Sequence, residues 1–364
     1  MISIKENADL RKMTTFGLPA RCGRLIEFSS PGEDLPELDR QGLLGDAVIL
    51  GGGSNMLFTS ACSPVTVVHP VNDNINVTES PDGAVIVTAD AGVVLDDLCR
   101  LATSRKLWGL ENLSGIPGHV GGATVQNVGA YGTEFCDVVD TVTCYSCRDH
   151  RFITLRADEC GYGYRDSIFK HLPAGERLIV CRASLRLSQT PNPRLSYQGL
   201  YKSLCDRFRL SENSPKADNI ARMTELGMTP ATVSEAVMSL RGSKLPDPAK
   251  TGSAGSFFKN PVVSPEEMLR IERRWTSGYK PASPIPAHTL PDGNVKLSAA
   301  WLIDNAGCKP LTQGGAALWQ SQPLVIVNLT GDARGEDVVR LERAVIDRVE
   351  SVFGVTLIPE VIHI

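Results

Sequence analysis

The sequence predicts an α+β protein of two or three domains. Three observations carry this expectation: the length, a first third in which short β-rich runs alternate with helical ones, and a middle that is mostly strand-like. At about 150 residues per domain, the 364 residues provide for two or three cores. Hydrophobic residues at 42 % and charged residues at 21 % match ordinary globular usage and exclude global disorder or a fibrous repeat.

Each element follows from its residues. Residues 47–50 (AVIL), 66–68 and 84–88 (AVIVT) are short apolar, β-branched runs and read as strands. Leu95, Leu98, Cys99 and Ala102 keep helical spacing until Gly109, a helix-ending residue. Residues 138–187, with VVDTVTCYS and LIVCRASLRL, are mostly strand-like. Residues 211–229 (SENSPKADNIARMTELGMT) are polar and lack clear periodicity, which marks a linker or surface insertion near a boundary. Beyond them Thr229 and Pro230 open a helix, Ser264, Pro265 and Glu267 form a capping-box pattern for the next, and residues 298–307 bracket a third. PLVIVNL at 323–329 reads as a strand. A helix over 336–353 carries Val338, Leu341, Val345, Val349 and Val352 on one face and stops at Gly354, before a final strand, VTLIPEVIHI.

With 37 basic and 41 acidic residues and a net charge of −4, and no Lys/Arg block, a general nucleic-acid binder is disfavoured. Lys5, Glu6, Asp9, Arg11 and Lys12 crowd the start where a signal peptide would be apolar, and no run reaches about 18 apolar residues. A soluble, cytoplasmic protein without a membrane partner is expected. Ten cysteines, scattered through a long chain without an export signal, are expected as free thiols. Cys144 and Cys147 have CxxC spacing but lie in a strand-like run, where residues three apart face opposite ways, so no metal site is expected.

The clearest local motif is DAVILGGGSNMLF at 46–58, where an apolar strand runs straight into Gly51, Gly52, Gly53, Ser54 and Asn55. Without a Cβ, glycines let backbone N–H groups converge on an anion. The motif is neither the phosphate loop ending in GK[ST] nor GxGxxG, and a glycine-rich hairpin explains it equally well. A second segment, ENLSGIPGHVGGATVQNVGAYG at 111–132, sets Gly115, Gly118, Gly121 and Gly122 beside Ser114, Gln126 and Asn127. Two such loops exceed the needs of one turn. A large cofactor with a pyrophosphate and an aromatic ring system would draw donors from both; the plain alternative is an irregular surface loop. Three further clusters are CGYGYRDSIFK with Tyr164 and Arg165, KLPDPAKTGSAGSFFKNP with Lys244, Ser256, Lys259 and Asn260, and LIPEV with Glu360. A surface arginine, a turn serine and a solvent-facing glutamate would account for Arg165, Ser256 and Glu360, and no spacing joins them.

On these motifs the sequence resembles the UDP-N-acetylenolpyruvoylglucosamine reductases, flavoenzymes that complete UDP-N-acetylmuramic acid in bacterial wall synthesis. The resemblance runs through nearly the whole chain in the same order: TTFGLPA from Thr14, ILGGGSNMLF from Ile49, residues 115–132, CGYGYRDSIFK, GSAGSFFKNP and the terminal PEV. Tyr197 in PRLSYQGL is similar to the tyrosine of the type I subgroup. The resemblance implies a PCMH-type rather than Rossmann FAD-binding domain of two α+β subdomains, 1–71 joined by the strand 355–364, and 72–210, followed by a third α+β substrate-binding domain, 211–354. It implies FAD held by Gly51, Gly52, Gly53, Ser54, Asn55, Ser114, Gly118, Gly121, Gly122, Gln126 and Asn127, with NADPH as co-substrate. UDP-N-acetylglucosamine enolpyruvate would take hydride from flavin N5, Arg165 and Glu360 stabilising the enolate and Ser256 protonating it. Tyr197, Lys244 and Asn260 would grip the diphosphate, and a monomer is expected. The chain departs from the family at Trp319, where members commonly have histidine, and in the longer 211–229 segment. Two rivals stand beside this reading: another FAD-dependent oxidase or dehydrogenase on the same cofactor fold, and a flavin-free protein that senses a sugar nucleotide. Arg165, Ser256 and Glu360 together argue against a sensor, which needs no acid.

Overall fold

The computed structural model describes residues 1–80, 82–278 and 284–364, which form two compact units. The first takes Met1–Ala8, Cys22–Gly52 and Pro64–Ser243; the second takes Asp9–Arg21, Gly53–Ser63 and Lys244–Ile364. The second unit is therefore assembled from three separate stretches of chain.

In the first unit a four-stranded sheet is ordered Ile2–Asp9, Arg21–Phe28, Cys62–Pro70, Val48–Ile49. Its last pair is parallel, Val48 opposite Val67 and Ile49 opposite Val68. Ile26, Phe28 and Val68 pack against Leu35 and Leu38 of the helix Pro31–Arg40. Sequence periodicity does not reveal this helix, because PGEDLPELDR carries an internal Pro36 and offers only two core-facing leucines. A five-stranded antiparallel sheet is ordered Arg151–Arg156, Val139–Ser146, Leu178–Leu187, Val85–Asp90, Ile75–Glu79. Val85, Val87 and Ala89 alternate inward with the period of two that a half-buried strand requires. They share a core with Leu95, Leu98, Cys99 and Ala102 of the helix Leu95–Ser104, the residues whose spacing marks it in the sequence.

The 211–229 segment differs from the linker expected. Lys216–Glu225 is a helix whose inner face carries an asparagine: buried Asn219 donates to the Tyr201 hydroxyl at 2.7 Å and to the Ser211 carbonyl at 2.8 Å. Met223 then packs against Leu200, Leu204 and Val233. A fully bonded polar group on a core face conceals the helical period.

To the largest core among the described residues of the second unit the first stretch gives Phe16 and Leu18, the second Leu57 and the third the rest. The helix Gly335–Phe353 runs as its spacing predicts: Val338, Leu341, Val345 and Val349 are fully buried, and Gly354 caps it at φ +71°, the left-handed conformation glycine adopts without penalty. Gly252–Ser256, Val325–Asn328, Ala316–Leu318 and Thr312–Gln313 form a four-stranded sheet in that order. The final strand expected over 355–364 shortens to Ile362–His363, parallel to Met56–Leu57. Pro359 lacks an N–H, and the residues before Ile362 are held by separate contacts to the segment after Ser256. No helix among the described residues is long and apolar enough to cross a membrane.

Leu341 is fully buried in the one core that binds three stretches of chain. Leu341→Ala is expected to destabilise the protein by about 2–5 kcal/mol, as a leucine-sized cavity does, measured by denaturant unfolding; a loss below about 1 kcal/mol would show that this helix does not hold the core together.

Candidate active site

The first glycine loop is divided between the units: Gly51 and Gly52 close a stretch of the first, and Gly53, Ser54 and Asn55 open a stretch of the second. In the first unit Gly52 meets the second glycine segment. A Cβ on Gly52 would lie 2.7 Å from Gly118 Cα and 3.1 Å from His119 Cδ2, so the two backbones touch only because neither residue has a side chain there. A Cβ on Gly51 would lie 3.9 Å from the Gly122 nitrogen, whereas one on Gly122 would meet nothing within 4 Å. Gly121 is a packing glycine, since its Cβ would come within 2.9 Å of Ala91 Cβ. The segment is not wholly a loop, because Val120–Gln126 is a short helix ended by Asn127 at φ +46°.

His119, beside these glycines, is a polar residue that no sequence pattern singles out. Its Nδ1 is buried with no hydrogen-bond partner among the described residues. Burial, and next the neighbouring His69, lower its pKa; the two ring centroids are 5.8 Å apart. A neutral imidazole, two touching glycine backbones and open space over Gly122 make a cradle without fixed charge. That is the surface an FAD diphosphate and ribityl chain require of backbone donors, and the residues fit the cofactor.

Other expected cofactor residues are committed within the protein. Ser114 Oγ donates to the Glu111 carbonyl at 2.9 Å and accepts from Ser234 at 2.8 Å. Asn127 is fully buried; its amide donates to Glu134 at 2.9 Å and to the Gly163 carbonyl at 2.8 Å, and its Oδ1 accepts from the Cys136 N–H at 3.0 Å. Gln126 Oε1 accepts from Lys170 at 3.0 Å.

Arg165 also belongs to the first unit. It sits at φ +56°, an unusual conformation for a long side chain. Its guanidinium donates to the Asn127 carbonyl at 3.3 Å and to the Gly129 carbonyl, and lies over the Tyr164 ring at 5.4 Å from the centroid. The arginine head is thus fixed by the turn that closes the second glycine segment. Tyr197, 39 % exposed, precedes the helix Gln198–Phe208 and meets Tyr131 edge-on at 5.2 Å. Burial raises the pKa of Tyr131, which Arg241 opposes; burial likewise lowers that of Arg241. Tyr131 and Arg241 are further candidates that the sequence motifs do not mark as functional, although Tyr131 stands in GAYG at the end of the second glycine segment.

In the second unit Ser256 ends the strand Gly252–Ser256 just after an irregularity in its register against Val325–Asn328. Gly255 at φ +71° turns the chain there and leaves Ser256 exposed. The next residue, Phe257, is fully buried, and its carbonyl accepts from the Glu360 N–H at 2.8 Å. One backbone hydrogen bond therefore places Glu360 beside the residue after Ser256, although 104 positions separate Ser256 from Glu360 in the sequence (360 − 256). The Glu360 carbonyl accepts from Asn55 Nδ2 at 3.2 Å, tying the same point to the end of the glycine loop. Asn260 Oδ1 accepts from the Ala299 N–H at 3.0 Å, at the start of the helix Ala299–Asn305. Trp319 secures the backbone at Lys244, whose carbonyl accepts from the indole N–H at 3.1 Å, and its ring packs with Leu245 beside Ala317, Val325 and Val327.

Residues 46–152 match an FAD binding domain family, and residues 247–364 match the UDP-N-acetylenolpyruvoylglucosamine reductase C-terminal domain. A UDP-N-acetylenolpyruvoylglucosamine reductase of Chromobacterium violaceum is 39 % identical over 362 residues, 99 % of this chain and 98 % of that protein. The chain belongs to the UDP-N-acetylenolpyruvoylglucosamine reductase family. A reductase of the same name from Neisseria gonorrhoeae is 37 % identical over 94 % of this chain and 92 % of its own. The crystal structure of UDP-N-acetylenolpyruvylglucosamine reductase from Thermus caldophilus superposes with a TM-score of 0.63 at 26 % identity, covering 100 % of this chain and 98 % of that one. Family and cofactor domain together make the protein an FAD-dependent oxidoreductase of mixed α+β architecture.

The open space at Gly122 separates a cofactor cradle from a structural turn. Gly122→Ala is expected to leave thermal stability unchanged or slightly raised, since alanine favours a helix by up to about 1 kcal/mol over glycine, while FAD affinity falls at least about tenfold as the methyl fills the cradle. Flavin fluorescence titration checks it; unchanged FAD affinity would remove Gly122 from the site.

Proposed function

We propose that this protein reduces UDP-N-acetylglucosamine enolpyruvate to UDP-N-acetylmuramate for peptidoglycan synthesis, with NADPH as the source of hydride. The observation that carries the reading is the Glu360 N–H to Phe257 carbonyl hydrogen bond, which brings the backbone of Glu360 beside the residue that follows exposed Ser256 in a chain of this family. FAD, which Gly51, Gly52, Gly118 and Gly122 of the two glycine segments would hold, would supply the hydride-transfer chemistry between the nicotinamide and the vinyl carbon.

The chain's own residues handle the charge that follows. Hydride addition to the vinyl carbon leaves an enolate conjugated with the substrate carboxylate, and donors already in place lower the cost of that charge. Arg165, its guanidinium fixed by two carbonyls, supplies the cation; Glu360, in its protonated form, supplies a neutral donor. The Ser256 hydroxyl gives its proton to the adjacent carbon, and water replaces it on the exposed serine. A hydroxyl is a weak acid, but an enolate is a strong enough base to take its proton when the two are held together. Tyr197, Lys244 and Asn260 grip the diphosphate, the type I arrangement, with Trp319 holding the Lys244 backbone. We also propose three functional parts: residues 1–71 with 355–364, residues 72–210, and residues 211–354. Separate cores beneath the four-stranded and five-stranded sheets of the first unit support the division of the flavin-binding half.

Ser256 acts only after hydride has left the flavin. Ser256→Ala is expected to allow flavin reduction by NADPH at close to the parent rate and to slow reoxidation by the enolpyruvyl sugar by about 10²–10⁴-fold, the effect of a positioned general acid. Stopped-flow absorbance reads the two halves separately; equal slowing of both, or of neither, leaves Ser256 a turn residue. A diphosphate remote from the reacting carbons is held alike in ground and transition states, so Lys244→Ala is expected to raise KM for the sugar nucleotide and leave kcat within about threefold. Tyr197→Phe, which keeps the ring and loses no charge, is expected to do the same more weakly. A collapse of kcat at unchanged KM in either variant would overturn the diphosphate assignment.

A further inference from the structure

The Glu360 segment is held on the side away from Ser256 by a pair the reaction does not use. Three residues beyond Glu360, His363 Nε2 lies 2.8 Å from Glu342 Oε2. Glu342 is on the core-facing side of the helix Gly335–Phe353 and is only 8 % exposed; among the described residues His363 is its one side-chain partner. A carboxyl at that depth gains from a hydrogen-bonding partner, and the His363 imidazole supplies it. The same imidazole meets Phe257 edge-on at 6.1 Å between centroids, and Phe257 is the residue whose carbonyl accepts the Glu360 N–H.

Around this pair the backbone is pinned on both sides. Ile362 N–H donates to the Asn55 carbonyl at 3.0 Å and Ile364 N–H to the Leu57 carbonyl at 2.9 Å, while Thr59 donates to the Ile364 carbonyl from both its N–H and its hydroxyl. On the other side Lys259 N–H donates to the Ile358 carbonyl at 2.9 Å. Two of these neighbours, the residues after the glycine loop and those after Ser256, approach the segment as strands. Residues after the glycine loop also meet the start of the long helix, where a Cβ on Gly335 would collide with the Phe58 carbonyl, and the His363–Glu342 pair adds a polar side-chain link from the segment to that helix. A two-residue strand pair gives little stiffness by itself, since isolated two-stranded pairings are marginal.

We propose that His363 is a positioning residue: by tying the segment after Glu360 to buried Glu342, it fixes the Glu360 carboxyl against the Ser256–Phe257 turn. This rests on the role assigned to Glu360 above. A displaced donor weakens the stabilisation of the enolate, and because the segment is hydrogen-bonded to Asn55 of the first glycine loop, flavin reduction is followed beside reoxidation as the control.

The test uses the FAD-loaded full chain. Relative to the parent, His363→Leu is expected to slow flavin reoxidation by the enolpyruvyl sugar about tenfold, with KM for that sugar within about twofold and flavin reduction by NADPH unchanged, as for a small misplacement of a reacting group. His363→Gln, whose amide N–H replaces Nε2–H, is expected to restore most of the rate. On a Glu360→Ala background, which removes the donor, His363→Leu is expected to add nothing. If His363→Leu slows both halves alike, or slows Glu360→Ala by the same factor as the parent, His363 serves only the fold and the proposal fails. If Glu360→Ala itself reoxidises at the parent rate, the assignment of Glu360 fails first and takes the inference with it. Should His363→Leu not fold, Glu342→Gln gives the same comparison with a milder expected effect, and a parent-like reoxidation rate in it overturns the proposal.

Discussion

Everything in the second unit depends on a backbone-to-backbone packing that tolerates no side chain. The Met13–Phe16 stretch lies between two glycines. A Cβ on Gly53 would collide with the Met13 carbonyl and come within 2.7 Å of Thr14 Cα, and one on Gly252 would collide with the Phe16 carbonyl group. With the glycines in place, Thr15 N–H donates to the Gly53 carbonyl at 3.2 Å, Ser253 N–H donates to the Thr15 carbonyl at 3.0 Å, and the Thr15 hydroxyl donates to the Ser253 carbonyl at 2.7 Å. One short motif, TTFG, thus joins the end of the glycine loop to the strand that carries Ser256.

That arrangement has an entropic consequence. Joining stretches of chain more than 200 residues apart costs loop-closure entropy, though the cost grows only with the logarithm of the separation. It is offset by a core to which all three stretches contribute, from Phe16 and Leu57 to the valine face of the last long helix. Stability and the approach of Glu360 to the residue after Ser256 therefore have the same origin, and a change that loosens the core also loosens that approach.

Electrostatics divides the candidate site into two kinds of surface. The glycine cradle is lined by glycine backbone and by an imidazole whose pKa burial lowers. Arg165 belongs to the other kind. Its guanidinium donates to the Asn127 and Gly129 carbonyls and lies over the Tyr164 ring, so its orientation is fixed by the fold. A cation held in this way suits the proposed role, since it need not reorganise to meet developing negative charge.

Local chemistry made much of this legible from residues alone. The valine–leucine face at 338–352 and Gly354 define a helix and its end, because periodicity and a left-handed cap are properties of adjacent residues. The glycine segments, TTFGLPA, CGYGYRDSIFK and GSAGSFFKNP determined the family. Other features follow from contacts between residues far apart in sequence, which no local pattern encodes. The helix at 216–225 stayed hidden because its inner face holds an asparagine that only Tyr201 and Ser211 make acceptable in a core. His119 became a candidate only when folding buried its Nδ1 beside Gly52. Trp319, a departure from the family in the sequence, became the donor to the Lys244 carbonyl, and His363 acquired a partner only because Glu342, twenty-one positions earlier, is turned inward beneath it. The sequence by itself determined the family and the local elements; the tertiary structure decided which residues meet, since a hydrogen bond such as Glu360 to Phe257 forms only when distant stretches of chain pack on one core.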